Sequence, residues 1–203
     1  MPLDSLIPLA VFAGVLVCTP GPANMLLMAS GARRGLRASL PFLAGVTLGK
    51  LFIHLGLALG LWRAVEQFPQ ILLIMKTAGA VYVLYLAWKI LNLKIQKSES
   101  AAGGFVAGLI VHPLNPKAWA MIVSAYGQFI DGQLINQSGW WTQTAIVAAV
   151  FFCWQCAAHS FWCWSGERAA KLFYGAAGTR REKLLLAFLA AAMGGAVLWS
   201  LAN

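Results

Sequence analysis

Two lysines stand where an apolar chain should carry no charge. Lys50 lies thirteen residues from both Arg37 and Arg63, at the centre of a hydrophobic run, and Lys117 is about equally deep in another. An ammonium at the middle of a bilayer costs about 2.5–3.5 kcal/mol on insertion scales, and a lysine stem of about 6 Å is too short to reach an interface from there. All six acids (Asp4, Glu66, Glu99, Asp131, Glu167, Glu182) fall at segment ends or in loops. Each lysine must therefore donate to backbone carbonyls freed where a helix breaks, or meet an anionic solute. A lysine that gives up its proton could instead carry a transported proton. His54, one helical turn beyond Lys50 on the same face, could share that task.

The breaks are present. "CTPGPANM" places Pro20, Gly21, Pro22 and Asn24 inside the first apolar run, and "PLNPKAW" places Asn115, Pro116 and Lys117 inside the fourth. Proline removes a backbone donor and interrupts a helix. Bare backbone at membrane depth survives only where protein buries it or a cavity needs it. At an offset of 94 residues, Gly14 meets Gly108, Val17 meets Val111 and Pro22 meets Pro116. Pro116 is eleven residues into its segment and Pro22 eleven before Arg33, about 16 Å at 1.5 Å per residue. That is near the midplane of a core about 30 Å thick. Paired broken segments in corresponding positions point to a transport site between inverted repeats, with half-helix N-termini and freed carbonyls facing polar solute groups. Positive charge without a buried acid suits a carboxylate-bearing solute better than a bare cation.

A competing chemistry lies in "CWQCAAHSFWC". Cys153, Cys156, His159 and Cys163 project at helical angles of roughly 0°, 300°, 240° and 280°, one face whose thiolates and imidazole would suit a soft metal ion. One rigid helix cannot wrap four ligands around an ion, and buried cysteine packs as a small apolar residue. No metal or other cofactor is expected, and a heavy-metal exporter stays as the alternative. Gln155 and His112 are further polar candidates for the cavity.

The elements that must position these groups follow from composition. Of 203 residues 60% are hydrophobic and 10% charged, against about 45–50% and 25% in soluble domains. Apolar segments run over about 5–31, 39–62, 71–91, 105–130, 141–165 and 184–202, each near the ~20 residues of a spanning helix. Basic residues cluster in alternate loops: Arg33, Arg34 and Arg37; Lys89, Lys94 and Lys97; then Arg168, Lys171, Arg180, Arg181 and Lys183. The positive-inside rule makes those loops cytoplasmic and turns both termini outward. The same placement accounts for the net charge of +9, so nucleic acid is not an expected partner. Trp62, Trp88, Trp140, Trp141, Trp162, Trp164 and Trp199 fall near segment ends, as interfacial belts do, whereas Trp119 and Trp154 lie deep. The N-terminus lacks a basic flank and a small-residue cleavage site, so it is expected to be retained.

The stretches "TPGPANMLL", "RRGLRASLPFLAGVTLGKLFIH", "KTAGAVYVLYLAWKIL" and "GFVAGLIVHPLNPKAWAMIVSAYGQF" resemble the LysE/RhtB amino-acid exporters over about residues 19–130. The resemblance implies an all-α, six-helix, multi-pass inner-membrane protein driven by the proton motive force. Its functional positions would be Pro20, Gly21, Pro22, Asn115, Pro116 and Lys117. Lys50 stands where that family commonly has an acid, and Gly127 where it commonly has proline; the first disfavours a basic amino acid as solute. The expectation is a single transporter domain over 1–203, with repeat one at about 5–91 and repeat two at about 105–202, and with helices 1 and 4 broken. It would export an amino acid or close derivative by proton antiport. Its partners would be that small molecule, protons and the lipid bilayer, with homodimerisation left open. A non-transporting membrane component is the further alternative. An enzyme is not expected, because no nucleophile–base pair stands out.

Overall fold

A computed structural model describes residues 3–61, 104–131 and 138–173, with the single positions 70, 81 and 191. The expected segments 71–91 and 184–202 fall outside the described residues apart from two of those positions, as do Trp62, Trp88 and Trp199. Every regular element among the described residues is helical. A short 3-10 turn, Leu3–Ser5, leads into α1 (Leu6–Cys18), followed by α2 (Pro22–Gly56), which runs on through a wide π turn, Leu57–Leu61. After these come α3 (Phe105–Val111), α4 (Pro116–Phe129) and α5 (Ser138–Phe173). Pro22–Leu61 and Ser138–Lys171 are long and apolar enough to cross a membrane, and Leu6–Cys18 is a shorter apolar helix.

Sequence explains where the helices stop. Pro22 and Pro116 open α2 and α4 at positions where the missing N–H has no intrahelical partner to lose. Asn115 caps α4, its Oδ1 accepting from the Lys117 backbone N–H at 3.1 Å. Gly35 interrupts α2 with φ 77°, a left-handed value that glycine adopts without a Cβ penalty. A straight helix would separate Ser30 and Ser39 by about 13.5 Å, yet their hydroxyls are 2.9 Å apart. The chain therefore bends sharply at Gly35, and Leu27 and Val46 share one apolar cluster.

The expected end of the fifth segment, at 165, is too early. α5 continues to Phe173 because its polar last turns have partners. The Glu167 carboxylate accepts from the Leu36 backbone N–H at 2.8 Å and from Lys171 Nζ, and Arg168 lies over the Trp164 ring at 5.5 Å. Charge clusters marked the segment end in sequence, but here they dock α5 onto the Gly35 bend.

Small residues set the packing distances. An added Cβ at Gly45 would sit 2.0 Å from the Phe105 carbonyl oxygen, and one at Gly108 would sit 2.3 Å from that of Phe42. Gly31 and Gly166 make the equivalent close approach between α2 and α5. Such contacts are how apolar helices associate without a hydrophobic driving force between them. α1 lies against α5, and α3 lies against α2. On α1, Leu9, Ala13 and Val17 face inward while Ile7, Val11 and Val15 face outward, with Ile7 74% exposed. A helix apolar on both faces fits a lipid-facing position.

Candidate functional site

The two breaks meet. Lys117 Nζ, from the start of α4, donates to Thr19 Oγ1 at 2.8 Å and to the carbonyl oxygens of Thr19 and Pro20, each at 3.1 Å. Ninety-eight residues separate Lys117 from Thr19, so one side chain ties the halves of the chain together at the discontinuities. The crossing is tight at Gly21, where a Cβ would sit 3.0 Å from the Lys117 stem and the stem would have to shift slightly.

Other donors complete the first break. Asn24 Nδ2 donates to the Val17 carbonyl at 2.8 Å and to that of Thr19 at 2.9 Å. Thr19 Oγ1 donates to the Leu16 carbonyl, and Trp162 Nε1 to that of Cys18 at 3.3 Å. At the second break, Trp119 Nε1 donates to the Pro113 carbonyl at 2.8 Å. The freed carbonyls were expected either to take a lysine or to face a solute; in the structure the chain's own donors, Lys117 among them, occupy these. The reason is energetic, since an unpaired buried carbonyl costs about 1–3 kcal/mol, and asparagine, lysine and tryptophan within reach remove that cost.

Beside the breaks is a small, partly open cavity with about 20 Å³ of free space, room for about one water. Leu16, Val17 and Gly21 line it from α1 and the first break, and Ala23, Asn24 and Lys50 from α2. His112 and Asn115 come from the second break, Lys117 and Met121 from α4, and His159 from α5. Two lysines thus face a space that no Asp or Glu among the described residues lines. Lys50 is 1% exposed, and its Nζ lies 5.5 Å from the centre of the Phe151 ring, a cation–π distance. The two ways of satisfying a buried lysine are divided between the pair: Lys117 takes the break carbonyls, and Lys50 takes none of them. The His112 and His159 rings stack with centroids 5.4 Å apart, and His159 Nδ1 is 2.9 Å from Thr47 Oγ1. Neither ring nitrogen of His112 has a hydrogen-bond partner.

Of the residues singled out in sequence, Gly21, Asn24, Lys50, His112, Asn115 and Lys117 converge on the cavity. Pro20 contributes its carbonyl to Lys117, while Pro22 and Pro116 start helices. His54 does not line the cavity; it is buried against Tyr126 and Phe151, with neither ring nitrogen hydrogen-bonded. Gln155 is also outside, turned back to donate to the Phe151 carbonyl of its own helix. The cysteine–histidine face separates: Cys153 and Cys156 are exposed, Cys163 is buried with Leu27 and Val46, and His159 faces the cavity. Among the described residues no three His, Cys, Asp or Glu side chains gather as metal ligands would. A spread of some 120° around one helix was wide enough to divide the four between three environments. Met121 and His159 were not foreseen as cavity residues. Trp154 is partly exposed and covers Gly14, and Trp140 is buried and donates to the Ala58 carbonyl.

Comparison with known proteins places the chain in a family. The family model for LysE type translocators matches residues 15–202. A cysteine/O-acetylserine efflux protein of Klebsiella pneumoniae subsp. pneumoniae is 31% identical over 155 residues, covering 70% of this chain and 76% of that protein. Its counterparts in Salmonella paratyphi A and Escherichia coli O1:K1 / APEC are 32% and 30% identical over 155 and 151 residues, with the same shares covered. No solved structure matches the chain significantly. With its match spanning nearly the whole sequence, the protein is a membrane translocator rather than an enzyme, and it belongs to the LysE-type translocator family.

Proposed function

We propose that the protein is a secondary exporter of a small carboxylate-bearing metabolite, an amino acid or close derivative, in the inner membrane, and that inward proton movement drives it. The observation that carries this reading is the cavity at the joined breaks, with buried Lys50 facing it and no acid among the described residues that line it. A carboxylate entering there would supply the counter-charge that Lys50 lacks, and the N-terminus of α2 would add its positive dipole end. The cysteine/O-acetylserine efflux relatives support a solute of amino-acid size and chemistry.

The full chain is read as one transporter domain of six helices in two inverted repeats. Each broken half-helix packs on the other repeat: α1 on α5, and α3 on α2. That exchange supports a pseudo-twofold arrangement with the site between the copies. The substrate-facing groups are assigned to Asn24, Lys50, Asn115 and Lys117, with Pro20, Gly21, Pro22 and Pro116 shaping the breaks. The test is efflux from proteoliposomes loaded with amino acids and their derivatives. Acidifying the outside should accelerate release of at least one of them. Release that ignores the proton gradient would refute the coupling, and no release of any solute would refute the export reading.

A further inference from the structure

Lys50 and His112 are nine-tenths or more buried, at 1% and 3% exposure, and both line the cavity. Among the described residues the His112 ring lacks a hydrogen-bond partner at both nitrogens, and the contact of Lys50 Nζ is the face of the Phe151 ring. Gly21, Ala23 and Asn24, at the start of α2, line the same space, and no side chain caps that helix. The first N–H groups of a helix have no partner within it. Lysine ammonium, helix N-terminus and imidazole together form a donor-rich pocket for an anion.

The complementary half of an amino-acid site is missing. A zwitterion also brings an ammonium, which needs a carboxylate or a cluster of free carbonyls. Among the described residues no acid lines the cavity, and two lysines repel a third cation. The carbonyls of Val17, Thr19, Pro20 and Cys18 are taken by Asn24, Lys117 and Trp162. Asn24 uses its Nδ2 on those carbonyls, which leaves Oδ1 as a neutral acceptor. Such an oxygen suits an amide N–H, whose single donor needs no counter-charge.

We infer that the cavity selects solutes with a carboxylate and no free ammonium, N-acylated amino acids in particular, over zwitterionic and cationic amino acids. This rests on the export reading above and narrows its solute class. The carboxylate is held by Lys50 and the start of α2, and the acylated nitrogen lies where a free ammonium would be repelled.

The experiment compares N-acetylserine, serine and lysine as probes in proteoliposomes of the full chain, each loaded alone at equal concentration. N-acetylserine should leave at least tenfold faster than either amino acid. Lys50→Arg, which keeps the charge, should preserve that order, and Lys50→Gln should bring the ratio towards one through loss of N-acetylserine flux. Thermal stabilisation of the detergent-solubilised wild type by N-acetylserine, and not by serine, gives a readout that needs no variant. Serine leaving as fast as N-acetylserine, or stabilising equally, overturns this inference while leaving amino-acid export intact. Absence of flux for all three probes and for a wider amino-acid panel overturns both.

Discussion

Replacing Lys117 by methionine keeps the stem and removes the three hydrogen bonds that tie the breaks together. A hydrogen bond to a charged group contributes about 1.5–3 kcal/mol, so three at the lower end give about 4–5 kcal/mol. Lys117 is only half-buried and water can replace part of the loss, while Thr19 O keeps its bond from Asn24. A net loss of about 2–4 kcal/mol remains. For a chain of this size each kcal/mol moves Tm by about 2–4 °C, so Lys117→Met should melt about 5–15 °C below wild type. Tm is measured in detergent by the loss of the monodisperse chromatographic peak after heating. Thr19→Val removes one of the three bonds together with the Thr19 Oγ1 bond to the Leu16 carbonyl, and should cost about 3–8 °C. Because the two residues share a contact, the double variant should fall short of the sum of the singles. A Lys117→Met protein that melts within about 2 °C of wild type, or strict additivity with Thr19→Val, would refute the claim that Lys117 joins the breaks.

Further outcomes follow from the same contacts. Asn24→Ala frees the carbonyls of Val17 and Thr19 from their side-chain donor and should lower both Tm and export; export at the wild-type rate would show that Asn24 does not hold the break. Gly45→Leu, whose Cβ would fall 2.0 Å from the Phe105 oxygen, should give aggregated protein on size exclusion, whereas Gly104→Ala, with nothing within 4 Å, should elute normally. Cys153→Ser combined with Cys156→Ser should leave solute efflux unchanged, since both residues lie outside the cavity; a large loss would return the cysteines to the transport path. Thr47→Val removes the bond to His159 Nδ1 and should raise the apparent KM more than it lowers the maximal rate.

The breaks were legible because proline acts locally: Pro22 and Pro116 dictate helix starts whatever packs around them. The spacing of Lys50 from flanking arginines pointed to an inward position, and the side chain is buried. Who would satisfy the broken backbone was not. Asn24 lies close to the break, but Lys117 and Trp162 reach it across 98 and 144 residues, and residue spacing carries no information about such contacts. Helical periodicity placed His54 with Lys50, and both do adjoin Phe151. One further turn along the helix was enough to take His54 out of the cavity. His159 was read with the cysteines of its own helix, and only the packing of α5 on α2 reveals Thr47 as its partner. The bend at Gly35 had a signal in the glycine between Arg34 and Leu36, but its sharpness depends on Glu167 capping from α5.

The central claim is that a solute carboxylate completes the charge of Lys50 during export. The most direct measurement is the initial rate of gradient-driven efflux of the preferred carboxylate solute from matched proteoliposomes of wild type and Lys50→Gln. Equal amounts of folded protein in the two preparations are verified by chromatography. The account predicts at least a tenfold loss of rate in Lys50→Gln. Equal rates would contradict it.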